Sequence, residues 1–199
     1  MIASQPLRDR TVYVVAGSPS VTLADVRAIG RSRARDECRV IAVNDAVYPC
    51  WFADHLHACD HRWWIEHNGV PGFAGVKTAL EITPFPDVTT LVNSGRYGFD
   101  PTPGHVRTGS NSGFQALHLA ASLGATTVIL LGVDFTDDGA RSHWFGLHPG
   151  ALDQHSNVEQ WRDLMRDLTD ELERRGLCIM NAGRQSTLSW LPQIDLGSS

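Results

Sequence analysis

One stretch, residues 108–135 (TGSNSGFQALHLAASLGATTVILLGVDF), constrains the fold more than any other part of the sequence. It begins with a polar turn in which Ser110 or Asn111 can cap a helix, because a short oxygen-bearing side chain accepts from the unpaired N–H groups of the first turn. Apolar residues then recur at helical spacing up to Gly124, a residue that suits the left-handed end of a helix. Residues 126–131 form a continuous apolar run, typical of a strand covered on both faces. The stretch therefore predicts a helix and a buried strand that ends at Gly132 and Asp134.

The rest of the chain alternates in the same way between apolar runs and amphipathic segments. We predict strands at residues 11–16, 39–43, 53–59 and 177–181, weaker edge strands at 78–82 and 89–92, and helices at 22–33 and 156–175. Such alternation indicates an α/β fold, a single Rossmann-like doubly wound domain over residues 1–199 with a mostly parallel sheet and helices on both faces. The carboxyl ends of parallel strands share one edge, and ligands bind there where the strand order reverses.

Composition excludes several classes of protein. The net charge is −5 and Lys77 is the single lysine, whereas a general nucleic-acid binder normally carries a basic face. A small anion remains compatible with this charge. No apolar segment approaches the ~20 residues of a membrane span. The four cysteines form no C-x-x-C pair and follow no secretory signal, so we expect reduced thiols in a cytoplasmic protein.

Polar residues follow the first two predicted strands. Gly17, Ser18 and Ser20 lie in a turn (residues 17–20, GSPS) whose backbone amides and hydroxyls can face an anion, although an ordinary strand–helix turn is an equal alternative. The sequence contains neither G-x-G-x-x-G nor a P-loop. Asn44 follows the second strand, where its amide can bind a phosphate, a ribose or a base edge, or simply hold an Asx turn.

Three further strand ends or helix starts carry candidate ligand-binding groups. Asp60 follows the third strand and is a candidate ligand-reading carboxylate. His55 and His57 share one face of that strand while Asp54 and Asp60 face the other, which argues against a zinc site. The start of the central helix places hydroxyls and amides at a positive helix end, which favours a phosphate or carboxylate, with capping alone as the alternative. Its candidate residues are Ser110, Asn111, Ser112 and Gly113.

Two irregular segments, residues 93–107 and 136–155, are long enough to form a lid. His143 and His148 lie in the second segment, and histidine is the usual general base near neutral pH. Simple exposure to solvent is the alternative for both. The sequence has no G-x-S-x-G elbow that would indicate a covalent hydrolase.

The order of these motifs resembles that of the CST-type bacterial sialyltransferases. It equally resembles the related MptE-like family, which includes 6-hydroxymethylpterin pyrophosphokinases and many phage and bacterial proteins. The resemblance rests on a strand ending in G-x-P-S, a strand ending in V-N, a polar helix start and the L-G-V-D-F strand end, and it covers residues 12–135. It implies a Rossmann-like nucleotide-binding domain in which the first turn and the asparagine hold a CMP-sugar, and a lid histidine deprotonates the acceptor.

Carried onto this chain, the resemblance assigns the nucleotide site to the turn 17–20, Asn44, the helix start and the strand end at Gly132 and Asp134. His143 or His148 would be the base. The sequence also departs from the family. Gly17 stands where the sialyltransferases have asparagine, the pair of lid tyrosines has no clear match, and the lid is shorter.

We therefore hypothesise a nucleotide-dependent, glycosyltransferase-like enzyme with a CMP-sugar-like donor and a hydroxyl acceptor. Asn44 and Asp134 would read the nucleoside, and a loop histidine would activate the acceptor. A pyrophosphokinase using ATP and Mg²⁺ near Asp60 or Asp134 is one alternative. A nucleotide-binding protein without catalysis is the other, and the sequence leaves a homo-oligomer open.

Overall fold

A computed structural model describes residues 7–136 and 158–197 of the chain. In this part of the chain seven parallel strands form one sheet in the order β5-β4-β3-β2-β1-β8-β9. The strands of this sheet are β1 (Thr11–Val15), β2 (Arg39–Val43), β3 (His55–His57), β4 (Val76–Ala79), β5 (Val88–Thr90), β8 (Thr127–Leu131) and β9 (Cys178–Asn181). Two short strands, β6 (Val92–Asn93) and β7 (His105–Val106), pair with each other in a second sheet.

Helices cover both faces of the large sheet, as the alternating pattern predicts. They are α1 (Leu23–Ala34), α2 (His61–Glu66), α3 (Ser112–Ser122) and α4 (Val158–Arg174), and a 3-10 helix spans Asn44–Val47. Successive residues of β1 point to opposite faces: Val15 packs with α1 and α2, while Val14 packs with α3 and α4. The predicted Rossmann-like, doubly wound architecture is confirmed.

Local sequence signals explain where the helices begin. Thr22 caps α1 by accepting from the Asp25 backbone N–H at 3.3 Å, and the Asp25 carboxylate accepts from the Thr22 N–H at 3.0 Å. This reciprocal pair is a capping box, which satisfies two backbone donors at once. In α4 the predicted apolar stripe buries Leu164, Met165 and Leu168.

Several predicted strand bounds are wrong. The third strand is only His55–His57, because Asp54 is held by Arg33 and by the Val40 N–H before the strand begins. The fourth strand lies two residues earlier than predicted, at Val76–Ala79, and it is interior, since β5 pairs along its outer side. The prolines Pro84 and Pro86 therefore mark the connection to the edge strand β5.

The segment 93–107 is anchored to the two helices beside it. Its Asp100 N–H donates to Nε2 of His118 on α3 at 2.9 Å, and its Phe99 N–H donates to the Glu171 carboxylate on α4 at 2.9 Å. Arg96 also donates to the Gln160 side chain at 2.6 Å. Closure of this segment as a lid would break these bonds, and its role as a lid stays a prediction. Most of the second predicted lid, 136–155, lies outside the described residues.

Candidate functional site

The strand order reverses between β1 and β8, and the two turns that follow these strands meet there. The chain runs outward from β1 through β2 to β5 on one side, and then returns to the other side of β1 as β8. The Ser18 N–H donates to the Gly132 carbonyl at 3.2 Å, and the Asp134 N–H donates to the Ser18 hydroxyl at 3.3 Å. The Ser20 hydroxyl donates to the Asp134 carboxylate. The predicted meeting of these two turns is confirmed, at the place where doubly wound sheets bind ligands.

Close approach of the two turns depends on Gly132. Its φ is +74°, and a Cβ at this position would lie 2.5 Å from the Ala16 carbonyl oxygen and 2.6 Å from Val21. A glycine is therefore required both by the left-handed backbone and by the contact between the turns.

The Asp134 carboxylate is buried in the wall of the crevice, with only 1% of the residue exposed. Besides Ser20, the turn after β9 encloses it: Gly183 leaves no room for a Cβ beside Oδ1 of Asp134, and the Thr187 N–H donates to the Asp134 backbone carbonyl at 2.8 Å. Asp134 therefore links three turns, through its carboxylate to Ser20 and through its backbone to Ser18 and Thr187. Its predicted contact with a nucleoside stays a prediction.

The serine hydroxyls of the first turn are engaged in the same way. Ser20 donates to Asp134, and the Ser18 hydroxyl accepts from the Asp134 N–H. Both hydroxyls therefore have partners within the protein, and the predicted anion-facing role of Ser18 and Ser20 stays a prediction. Of the backbone in the turn 17–20, Pro19 has no N–H and the Ser18 N–H donates to the Gly132 carbonyl.

The start of α3 borders the same crevice. Asn111 is the N-cap, and its side-chain oxygen accepts from the backbone N–H groups of Gly113 at 2.8 Å and Phe114 at 3.2 Å. Gly113 packs against Val133, because a Cβ there would lie 3.2 Å from the valine side chain. Ser110 is exposed and Ser112 is half-buried. The structure thus brings this helix end to the β8 turn, with the Asn111 oxygen occupied by capping.

Asn44 has an uncommon backbone conformation and a buried side-chain oxygen, and its predicted binding role stays a prediction. It follows β2 with a left-handed backbone, φ +51°, a conformation that few residues other than glycine adopt. Its side-chain oxygen is buried and has no hydrogen-bond partner among the described residues. A buried acceptor without a partner costs free energy, of the order of 1–3 kcal/mol, unless a ligand or water satisfies it.

Asp60 lies at the end of β3, two strands from the point where the order reverses. The residue is exposed and occupies the N-cap position of α2 without capping it through its side chain. No group of three histidine, cysteine or acidic residues that could hold a metal ion occurs among residues 7–136 and 158–197.

The histidines of β3 belong to a buried polar chain rather than to a metal site. Nε2 of His55 lies 2.8 Å from the Thr78 hydroxyl, which also lies 3.0 Å from Nδ1 of His57. Nε2 of His57 in turn lies 2.8 Å from the Gln115 side-chain oxygen, and the Gln115 amide donates to the Thr108 carbonyl at 3.0 Å. Burial lowers the pKa of His55 to about 3 and that of His57 to about 4. Both rings are therefore neutral at pH 7, and the chain ties β3 to the turn before α3.

An ion pair that the sequence analysis missed joins the turn after β9 to the start of α1. Two guanidinium nitrogens of Arg184 donate to the two carboxylate oxygens of Asp25, each at 2.7 Å. These hydrogen bonds hold the pKa of Asp25 below its usual value. No sequence signal near Arg184 predicts its partner, because 159 positions separate the two residues.

The predicted catalytic histidines, His143 and His148, lie outside the described residues. Their role as base stays a prediction. Within the described ranges, no helix is long and apolar enough to cross a membrane.

Comparison with known proteins gives a fold but no family. No family model matches the sequence, and no curated protein matches it. Among solved structures, a MAf glycosyltransferase from Magnetospirillum magneticum AMB-1 is similar with a TM-score of 0.64 and 14% sequence identity. The similarity covers 98% of this chain and 34% of that one, so this chain spans about a third of the length of the other protein. At this identity the similarity establishes a common fold alone.

Proposed function

We propose that the crevice between the β1 and β8 turns binds a nucleotide and that the protein is a nucleotide-dependent, glycosyltransferase-like enzyme with a sugar nucleotide as donor. Asn44 carries this proposal. Its buried oxygen, which has no partner among the described residues, lies at the ligand-binding edge of the sheet, directly after β2. A ligand that donates a hydrogen bond to this oxygen would remove the cost of burying it unpaired.

The oxygen of Asn44 selects the chemistry of its partner. An amide oxygen only accepts hydrogen bonds, so its partner is a donor such as an exocyclic amine of a base or a ribose hydroxyl. A phosphate oxygen would not satisfy it. The nucleoside is therefore assigned to Asn44. A CMP-sugar-like donor, whose cytosine carries an exocyclic amine, fits this site better than a donor whose pyrimidine base has no exocyclic amine.

The donor phosphate is assigned to the backbone N–H groups of Gly17 and Ser20 in the turn 17–20 and to the positive end of α3 beside Val133. The Gly113 and Phe114 N–H groups at that helix end donate to Asn111, so α3 contributes through its dipole. The positive end of α3 favours an anion, and fixed amides stabilise the negative charge that develops on the departing phosphate. Such local donors bind an anion even though the chain as a whole carries a net charge of −5.

The fold of the MAf glycosyltransferase supports the class of reaction, since that protein shares the arrangement of this chain. The acceptor hydroxyl gives its proton to a base, for which the sequence offers His143 or His148. Asp60, at the same edge, is proposed to contact the ligand beyond the nucleoside.

A thermal-shift panel with CMP, UDP, GDP and ATP, each with and without EDTA, tests the proposal. We expect CMP to raise the melting temperature without a divalent ion, because a ligand that binds only the native state stabilises it by mass action. A shift with ATP that EDTA abolishes would instead favour a Mg²⁺-dependent pyrophosphokinase. Absence of any shift up to millimolar nucleotide would overturn the proposed function.

A further inference from the structure

Three side chains close to Asn44 in the chain or in space, Tyr48, His67 and Asp45, form a polar cluster that the proposed donor site does not use. The Tyr48 hydroxyl lies 2.6 Å from Nδ1 of His67, and Nε2 of the same ring lies 3.1 Å from the Asp45 carboxylate. Tyr48 and Asp45 belong to the turn that follows β2, while His67 ends α2. The cluster therefore joins two elements at the carboxyl edge of the sheet.

The carboxylate determines the tautomer of the ring. Nε2 of His67 faces the negative Asp45 carboxylate at 3.1 Å, which favours the tautomer with its proton on Nε2. Nδ1 is then an acceptor, and the Tyr48 hydroxyl donates to it. In this arrangement a hydroxyl donates to an imidazole, and a carboxylate orients the imidazole. Proteins commonly activate a hydroxyl group in this way.

The two inner members of the cluster are held firmly. The Trp63 indole N–H donates to the Asp45 carboxylate at 2.8 Å, and the Trp63 and His67 rings pack with their centroids 4.3 Å apart. The side chains of Asp45 and His67 are 13% and 22% exposed, whereas Tyr48 is 49% exposed. The cluster thus opens to solvent at the tyrosine hydroxyl.

We propose that Tyr48, His67 and Asp45 form the proton relay that deprotonates the acceptor hydroxyl, an assignment that rests on the proposed function. The Tyr48 oxygen takes the proton of the acceptor hydroxyl while its own proton moves to Nδ1 of His67. The acceptor oxygen forms a bond to the anomeric carbon of the donor as the bond from that carbon to the phosphate breaks, and the phosphate leaves with the electron pair. The proton ends on His67, whose positive charge faces the Asp45 carboxylate.

The relay begins beside Asn44, so an acceptor at Tyr48 lies within reach of a donor whose nucleoside binds Asn44. Asp45 directly follows Asn44, and Tyr48 comes directly after the 3-10 helix Asn44–Val47. A 3-10 helix rises ~2 Å per residue, so the Tyr48 backbone lies about 8 Å along the helix from Asn44, within the length of a sugar nucleotide. Partial burial and the Asp45 charge raise the pKa of Tyr48, so the phenol is protonated at neutral pH and needs the imidazole to lose its proton.

Labelling with an arylsulfonyl fluoride, which reacts with deprotonating phenols, tests the relay without any nucleotide. Tyr97 is the internal control, because it is more exposed than Tyr48, at 63%, and stacks with Arg96 instead of a base. We expect Tyr48 to react about tenfold faster than Tyr97, and His67→Gln or Asp45→Asn to remove this difference. Equal or slower reaction of Tyr48, or no effect of either substitution, would overturn the relay.

Measurements of turnover then test the role of the relay in catalysis. Tyr48→Phe is expected to lower kcat ~100-fold or more, the usual contribution of a general base, and to leave the thermal shift by the donor nucleotide unchanged. Tyr97→Phe should leave both unchanged. Full activity of Tyr48→Phe, with loss of activity in His143→Ala or His148→Ala, would assign the base to the loop and reject Tyr48. Failure of the proposed function can be distinguished from failure of the relay. In the first case nucleotides would not raise the melting temperature of the wild-type protein, while the labelling would still report on the relay.

Discussion

Lowering the pH from 8 to 5 is expected to reduce the free energy of unfolding by about 2 kcal/mol for each of three buried histidines. His55, His57 and His118 are at most 2% exposed. Burial lowers their pKa values from 6.5 to about 3, 4 and 4, so their rings stay neutral in the folded protein at pH 5. In the unfolded chain the same rings bind protons below pH 6.5. Because one pKa unit corresponds to ~1.4 kcal/mol, the unfolded state gains about 2 kcal/mol per ring at pH 5.

The direction of the pKa shifts determines the pH range over which stability is lost. A folded-state pKa below the unfolded value gives stability that is fully present above pH 6.5, and this stability falls as the pH drops toward 3 to 4. Urea unfolding at pH 8, 6 and 5 measures it. His118→Gln, which keeps an acceptor for the Asp100 N–H, should lose about 2 kcal/mol less than the wild type between pH 8 and 5. Equal pH dependence in the two proteins would contradict the assignment.

Gly132→Ala is expected to destabilise the protein by about 3 kcal/mol. The substitution imposes a left-handed backbone on alanine, and it places a methyl group 2.5 Å from the Ala16 carbonyl, a backbone atom that cannot move aside without displacing β1. The contact between the β1 and β8 turns would open, and nucleotide binding would be lost with it. Denaturant unfolding and the thermal-shift panel measure the two effects.

Gly176→Ala separates the clash from the backbone strain. Gly176 has a similar left-handed φ of +92°, but nothing lies within 4 Å of a Cβ there. We expect a loss of about 1 kcal/mol in this variant and unchanged nucleotide binding. Equal destabilisation by both substitutions would mean that the close approach of the two turns contributes nothing.

The sequence predicts the fold because each element carries its own local signal. The amphipathic segments that form α1 and α4 and the apolar run that forms β8 are short-range patterns, and each element forms where it is expected. The bounds of β3 and β4 were predicted less well. Their ends are set by contacts with distant residues, such as Arg33 with Asp54, which no local pattern contains.

The sequence predicted which turns meet at the site, but it did not predict which side chains face the crevice. Parallel strands necessarily bring their carboxyl ends to one edge, so the meeting of the turn 17–20 with Asp134 followed from the strand order. Which side chains face the crevice depends on competing partners. Ser20 donates to Asp134, and Asn111 caps α3.

Two polar clusters could not be predicted because their members are far apart in the chain. Gln115 meets His57 across 58 positions, and His67 meets Tyr48 across 19. The sequence placed His55 and His57 on one face of a strand, but the neutral partners Thr78 and Gln115 come from other elements.

Calorimetric titration of CMP into the wild-type protein and into Asn44→Gly tests whether the Asn44 side chain binds the nucleoside. Glycine keeps the left-handed backbone and removes the buried oxygen, so a change in affinity reports the side chain alone. We expect roughly 10- to 100-fold weaker binding of CMP by Asn44→Gly, because one buried hydrogen bond is lost. Asn68→Gly, at an asparagine with the same left-handed backbone (φ +49°), should bind CMP like the wild type. Equal affinity of Asn44→Gly and the wild-type protein would show that Asn44 does not hold the nucleoside.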